Sequence, residues 1–193
     1  MAEEAHGQVV EPSERLDPET RARREAALKL VRKYGDPVLR SRALEINHFD
    51  EALREEVRRM GRLMHDAYGI GLAATQVGKM HRLLVYRTEL EGSIAALVNP
   101  VLEWASKDKE TSEEGCLSLP GVAVEVERPV HVRVSALDEY GKPILIEASG
   151  LEARVIQHEM DHLDGVLILD RASRDQRKQA MKTLREQLEP QTA

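Results

Sequence analysis

The sequence predicts an α+β fold of mixed, mainly antiparallel β-sheets packed around a central metal-binding helix, with a further helix at the C-terminus. Three observations predict it. Residues 51–68 carry apolar side chains at helical spacing, residues 82–147 hold several short β-branched runs, and two further helical patterns follow after Gly150 and Ser173. Helix, antiparallel strands, helix, strand, helix is the order of an α+β domain rather than of alternating βα units.

Residues 1–28 are polar, with Pro12 and Pro18 breaking the pattern, and read as a solvated extension that turns helical from Glu19 towards Tyr34. The first strong helix runs from Glu51 to Tyr68, with Asp50 placed to cap it. Leu53, Val57, Met60, Met64 and Tyr68 form its apolar stripe, and Gly69-Ile70-Gly71 is expected to stop it. Arg82–Thr88, Ser93–Val98, Val122–Glu127 and Val130–Leu137 read as strands, the last alternating through Val130, Val132 and Val134. Glu139–Lys142 is a turn leading into a strand at Ile144–Glu147. Beyond Gly150 come a helix over Leu151–Leu163 and a short apolar strand, Val166–Leu169. The final helix starts at Ser173, where Ser-Arg-Asp-Gln176 has the form of a capping box, and turns Met181, Leu184 and Leu188 inward.

A chain of 193 residues with 41% hydrophobic and 32% charged content is sized for one principal core. Aromatics make up only 3%, so aliphatic side chains must fill it. The formal charge of −6 argues against a surface built throughout to hold nucleic acid. No apolar run approaches the length of a membrane span, and the acidic N-terminus has neither the form of a secretory signal nor that of a transit peptide, so the expected setting is cytoplasmic. Cys116 is the one cysteine, so no intramolecular disulfide forms, and its reactivity or metal affinity becomes the question. We divide the chain into a polar extension (1–28), a catalytic domain (29–170) and a basic C-terminal helix and tail (171–193).

His158-Glu159-Met160-Asp161-His162 is the sharpest local signal. Positions i and i+4 share a helix face, so both imidazoles reach one cation, while Glu159 stands beside a ligand where it approaches a water without binding the metal. A catalytic site usually needs a third protein ligand and an open position. The extended zinc-protease pattern fails because Ile168 occupies the place of its last His. Glu186 and Glu189 remain open by spacing, although they sit on a separate capped helix near the chain end. Cys116, in Glu113-Glu-Gly-Cys-Leu-Ser-Leu-Pro120, is the better candidate, since a thiolate with two imidazoles makes a three-ligand site with one vacancy. His48, His65, His81 and His131 lack paired spacing and read as surface or packing residues, and His6 lies in the extension.

Gly69-Ile-Gly-Leu-Ala-Ala-Thr-Gln76, Glu114-Gly-Cys-Leu-Ser118 and Gln157-His-Glu-Met-Asp-His-Leu-Asp-Gly165 occur in that order. Together they resemble the three signature motifs of peptide deformylases, over roughly residues 29–170 and including Gly35-Asp-Pro-Val-Leu-Arg40. The resemblance implies that His158, His162 and Cys116 bind a metal, natively Fe2+, with Zn2+, Ni2+ or Co2+ able to occupy the site. It implies that Glu159 is the general acid/base. Gln76, through its side-chain amide, and Leu117, through its backbone N–H, would donate to the oxygen of the attacked formyl group. Gly71 would lie beside the substrate backbone, and Ile70 and Leu117 would shape the substrate site. The substrate implied is an N-formylmethionyl peptide, whose hydrolysis passes through an oxyanion that preorganised donors stabilise.

Residues 171–185 hold six basic side chains and one acid, a net charge of +5 inside an acidic protein, so this helix is a candidate contact with ribosomal RNA. Two rival classes share the metal helix. An endopeptidase would cleave internal bonds of unformylated peptides, and a metal-stabilised binding module would lose nothing when Glu159 becomes Gln.

Overall fold

The computed structural model describes residues 16–89 and 92–188. Residues 1–15 of the polar extension, with His6, and Glu189 lie outside the described residues. Helix α1 spans Pro18–Leu30, and the Asp17 carboxylate caps it by accepting the N–H groups of Glu19 and Thr20. It is not merely a solvated extension: Ala27 and the following Val31 are buried against the core beside the second helix. Helix α2 spans Glu51–Asp66, with Asp50 accepting the Leu53 N–H at 3.0 Å, and its Leu53, Met60 and Met64 are buried as the helical stripe requires.

The stop of α2 differs from expectation. Tyr68, at φ 61°, takes the left-handed conformation, and neither Gly69 nor Gly71 does. Gly71 is needed for a different reason, described with the site below.

Strands β1 (Gly71–Ala73), β2 (Leu83–Tyr86), β3 (Ala95–Ala105), β6 (His131–Leu137) and β7 (Pro143–Ser149) form one sheet in the order β1-β2-β3-β6-β7. Strands β4 (Lys109–Cys116) and β5 (Leu119–Pro129) form a separate two-stranded ribbon. All these pairings are antiparallel, and a single parallel bridge joins Leu44 to His81. Alternation along a strand sends successive side chains to opposite faces. In β2 this turns Leu83 and Val85 towards α2 and Leu84 and Tyr86 towards the opposite cluster, so the unbroken apolar run is buried on both sides.

Helix α3 (Gly150–Leu163) fills that second cluster through Ala153, Val155, Ile156 and Leu163. Truncating a buried residue such as Ile156 to Ala costs about 2–5 kcal/mol in comparable cores, which is why this helix is fixed in depth and rotation.

Val166–Leu169 is not a strand. After Gly165, at φ 72°, a single helical turn, α4 (Ile168–Arg171), forms because the Asp170 carboxylate accepts the Leu167 N–H at 2.8 Å. Helix α5 (Arg174–Leu188) follows, with Ser173 Oγ accepting the Gln176 N–H at 3.3 Å, and Ala180 and Leu184 packing it on the β4–β5 ribbon.

Candidate metal centre

The three motif segments reach one point from three different elements. Residues 74–77 form a short 3₁₀ turn after β1, Cys116 ends β4, and His158 and His162 lie one turn apart on α3. Residues 32–34, which follow α1, tie two of them together. The Arg32 N–H donates to the Gln76 carbonyl at 2.7 Å, the Tyr34 N–H donates to the Ser118 carbonyl at 2.9 Å, and Lys33 Nζ donates to the Leu117 carbonyl at 3.0 Å.

Cys116, His158 and His162 are all buried, and one ligand atom from each lies within 4.8 Å of the other two. The Cys116 Sγ to His162 Nε2 distance is 3.2 Å, and the two imidazole rings stand nearly edge to face, centroids 5.0 Å apart. Among the described residues no partner exists for His158 Nε2, a buried polar atom of the kind that normally finds one. One soft sulfur and two imidazole nitrogens converging in a buried pocket fit a first-row transition metal or zinc. Glu186 is not part of this cluster: it pairs loosely with Lys182 on the exposed side of α5.

His158 is held by a buried charge network. Its Nδ1 meets Glu114 Oε2 at 3.0 Å, so with the carboxylate ionised Nδ1 is the donor and Nε2 is left facing the cluster. Arg128 grips Glu114 through two bonds of 2.6 and 2.8 Å, and Arg154 Nη1 adds a third at 2.7 Å. Arg128 also reaches Asp161 at 2.9 Å, and Arg171 closes on the same carboxylate with two bonds of 2.5 Å. Burial pushes the Glu114 carboxyl upward, but Arg128 and His158 overcome it and hold it well below the usual carboxylate range. Burial lowers His162 well below the ordinary histidine value, and the neighbouring His158 and Arg128 lower it further, so its ring is neutral.

Glu159 stands apart from this network. Burial raises its carboxyl to about 7 against the opposing pull of His158 and Arg128, and its Oε2 has no partner among the described residues. A Cβ on Gly71 would come within 2.8 Å of Glu159 Cγ and Cδ, so the glycine makes room for the carboxylate. Gln76 is fully buried. Its Oε1 accepts the Ala73 N–H at 2.9 Å, which turns Nε2 towards Ser118 Oγ at 3.2 Å and Cys116 Sγ at 3.6 Å. Leu117 follows Cys116 directly and lines, with it, a cavity of about 380 Å³. Ile70 does not line that cavity, and packs instead in the core beneath the larger sheet.

Glu114, Arg128 and Arg154 were not singled out as functional from the sequence. Arg154 had a readable signal, since it stands four residues before His158 and therefore on the same face of α3. The other histidines lie elsewhere, His81 paired with Glu56 at 2.9 Å and His65 with Arg87 at 2.8 Å.

Residues 28–178 match the polypeptide deformylase family. A peptide deformylase of Acidothermus cellulolyticus is 43% identical over 160 residues, covering 83% of this chain and 87% of that protein. Peptide deformylase 1 of Corynebacterium glutamicum is 48% identical over 161 residues, covering 82% and 95%. The crystal structure of a Synechococcus elongatus peptide deformylase in complex with actinonin superposes with a TM-score of 0.77 at 41% identity, covering 93% of this chain and 91% of that one.

Proposed function

The chain belongs to the polypeptide deformylase family, and from that premise we propose how its own residues divide the reaction. It is a metal-dependent hydrolase that removes the formyl group from the N-terminal methionine of newly synthesised proteins and releases formate. The observation that carries the assignment of roles is the convergence of a thiol, two imidazoles, a carboxylate whose Oε2 has no partner among the described residues, and an oriented amide in one buried site. Cys116, His158 and His162 would hold the ion, for which we favour Fe2+, with Zn2+, Ni2+ or Co2+ able to take its place. When bound, such an ion polarises oxygen and makes water more acidic.

Glu159 takes the proton of the attacking water and returns it to the leaving amine. A carboxyl raised to about 7 both accepts and releases a proton near neutral pH. Gln76 Nε2 and the Leu117 N–H donate to the oxygen of the attacked formyl group, where each donor of this kind is worth about 2.7–4 kcal/mol in other enzymes. Gly71 and Leu117 flank the peptide, and Ile70 shapes the site from behind Gly71 in the core. The unit that does this spans residues 29–170.

The test is formate release from a formyl-Met peptide by anaerobic, ferrous-loaded protein, beside metal-stripped protein and Glu159→Gln. We expect release only from the loaded native chain. Undiminished release from Glu159→Gln would remove Glu159 from its role, and release after verified stripping would remove the metal.

We place the reaction in the cytoplasm. Among the described residues no helix is long and apolar enough to cross a membrane. We also propose that α5 contacts the ribosome, because Arg174, Arg177, Lys178, Lys182 and Arg185 are all exposed on it. Ribosome co-sedimentation that survives their joint neutralisation would refute that contact.

A further inference from the structure

The cavity beside Cys116 has a second wall that the reaction does not use. Cys116, Leu117 and Gly115 form one side of it, and Arg24, Leu28 and Lys33 form another. We infer that this wall reads the charge of the substrate, so that the enzyme favours formyl-Met peptides with an acidic side chain within the two residues after methionine. The inference rests on the deformylase reading and adds a specificity to the same site.

A peptide whose formyl group lies at Cys116 and Gln76 must continue along the space next to them, each residue advancing its Cα by about 3.8 Å. On the side of Cys116 and Leu117 that space is the cavity, which both residues line, and its α1 side is cationic. Among the described residues Arg24 has no ion-pair partner, and its Nε is buried without a hydrogen bond. Arg24 is half-buried, so its guanidinium is partly stripped of water without compensation. Lys33 Nζ gives one hydrogen bond to the Leu117 carbonyl, and an ammonium has three donors. The acid in the lining, Glu113, is exposed on β4 and more strongly screened by water. Two half-buried cations against one solvated anion leave the cavity with a positive wall. Leu28 and Val122 add apolar surface to the same lining.

The experiment compares formyl-Met-Ala-Glu with formyl-Met-Ala-Lys, and formyl-Met-Glu-Ala with formyl-Met-Lys-Ala, in the metal-loaded full chain. We expect an acidic-over-basic ratio of about fivefold in kcat/KM for at least one pair, carried by KM, from partly solvated charge pairs. The ratio should shrink towards one at about 1 M salt, where the screening length falls to about 3 Å. Arg24→Glu should invert the preference, Arg24→Gln should reduce it, and Lys29→Gln on the exposed side of α1 should leave it as it was. Ratios within twofold for both pairs, or a ratio unaltered by Arg24→Glu, overturn the inference. Equilibrium binding of the product peptides Met-Ala-Glu and Met-Ala-Lys, read by calorimetry, separates this result from the premise. If no peptide yields formate, the deformylase assignment fails, while tighter binding of the acidic product still supports the charged wall and equal binding refutes it.

Discussion

Gly71→Ala tests the site through one methyl group. Gly71 does not have a positive φ, so alanine fits the backbone without strain and the perturbation is steric alone. The added Cβ would lie 2.8 Å from Glu159 Cγ and Cδ, and closer still to Oε1, whereas an ordinary contact begins near 3.4 Å. Glu159 must therefore move by about 0.6 Å or more, inside a core that relaxes only partially. Overpacking of this kind costs about 1–3 kcal/mol of stability. A misplacement approaching 1 Å of a proton-transferring group costs about 10²-fold in rate. Formate release should then fall by about that factor, mostly in kcat. Bound metal measured by elemental analysis should stay at the native ratio, because the clash falls on Glu159 and not on Cys116, His158 or His162. A Gly71→Ala protein with native kcat would refute the reasoning, and so would one that loses its metal in proportion to its activity.

Glu114→Gln leaves Arg128 and Arg154 facing a neutral amide in a buried site, and we expect a loss of about 3–5 kcal/mol in urea unfolding; a loss under 1 kcal/mol would show that the network relaxes freely. Chelation should lower the unfolding temperature of the loaded chain, since an ion at about 100 times its Kd adds about 2.7 kcal/mol, and in Cys116→Ser the chelator should change much less. Tyr86→Phe removes the hydroxyl that donates to Glu152 at 2.8 Å and should cost about 0.5–1.5 kcal/mol in thermal unfolding, without altering formate release. Burial pushes Asp170 upward, but Arg40 and the Leu167 N–H outweigh it and hold it below the usual aspartate value. A depressed carboxyl contributes stability above its unfolded pKa and loses it as pH falls through its folded one. Asp170→Asn should therefore be less stable than the native chain at pH 7, with a gap that narrows as pH falls below about 4; a gap that does not narrow at all on acidification would assign the effect to packing.

Part of the candidate site was legible because its spacing is local. His158, Glu159 and His162 declare a shared helix face within five residues, and Asp50 and Ser173 announce their helices by cap chemistry. Strand β4 was not legible. Lys109–Cys116 is polar along most of its exposed length, and only the pairing with β5 makes it a strand, so the local sequence contains no apolar alternation to read. The extension of β3 to Ala105 was missed for a related reason. Asn99, at φ 52°, breaks the regular backbone, yet its side chain secures the bend by two bonds of 2.8 Å to Ile46. The same holds for α1: its contribution to the Cys116 cavity depends on where Arg24 and Leu28 land in space, which no spacing along the chain encodes.

The metal site joins two strand ladders that meet only where β3 passes into β4 and β5 into β6. Cys116 belongs to the β4–β5 ribbon, whereas His158 and His162 belong to a helix packed under the five-stranded sheet, and among the described residues the ribbon shares no strand ladder with that sheet. Something other than a β-ladder must set the distance between sulfur and nitrogen. Glu114 is on the ribbon two residues before Cys116 and bonds to His158, while Arg154 on α3 bonds to Glu114 and to the Glu110 and Val126 carbonyls of the ribbon. Each of those contacts fixes the register of ribbon against helix at the height of the ligands. Apolar side chains of similar volume would often be as stable as a buried ion cluster, but they slide and repack with little penalty. Charged hydrogen bonds of fixed length do not, and a site whose three ligands must stay within a few ångströms needs that directional constraint more than it needs stability. The buried charges around Glu114 are thus accounted for by positioning: they hold one ligand-bearing element at the correct height on the other before any ion arrives.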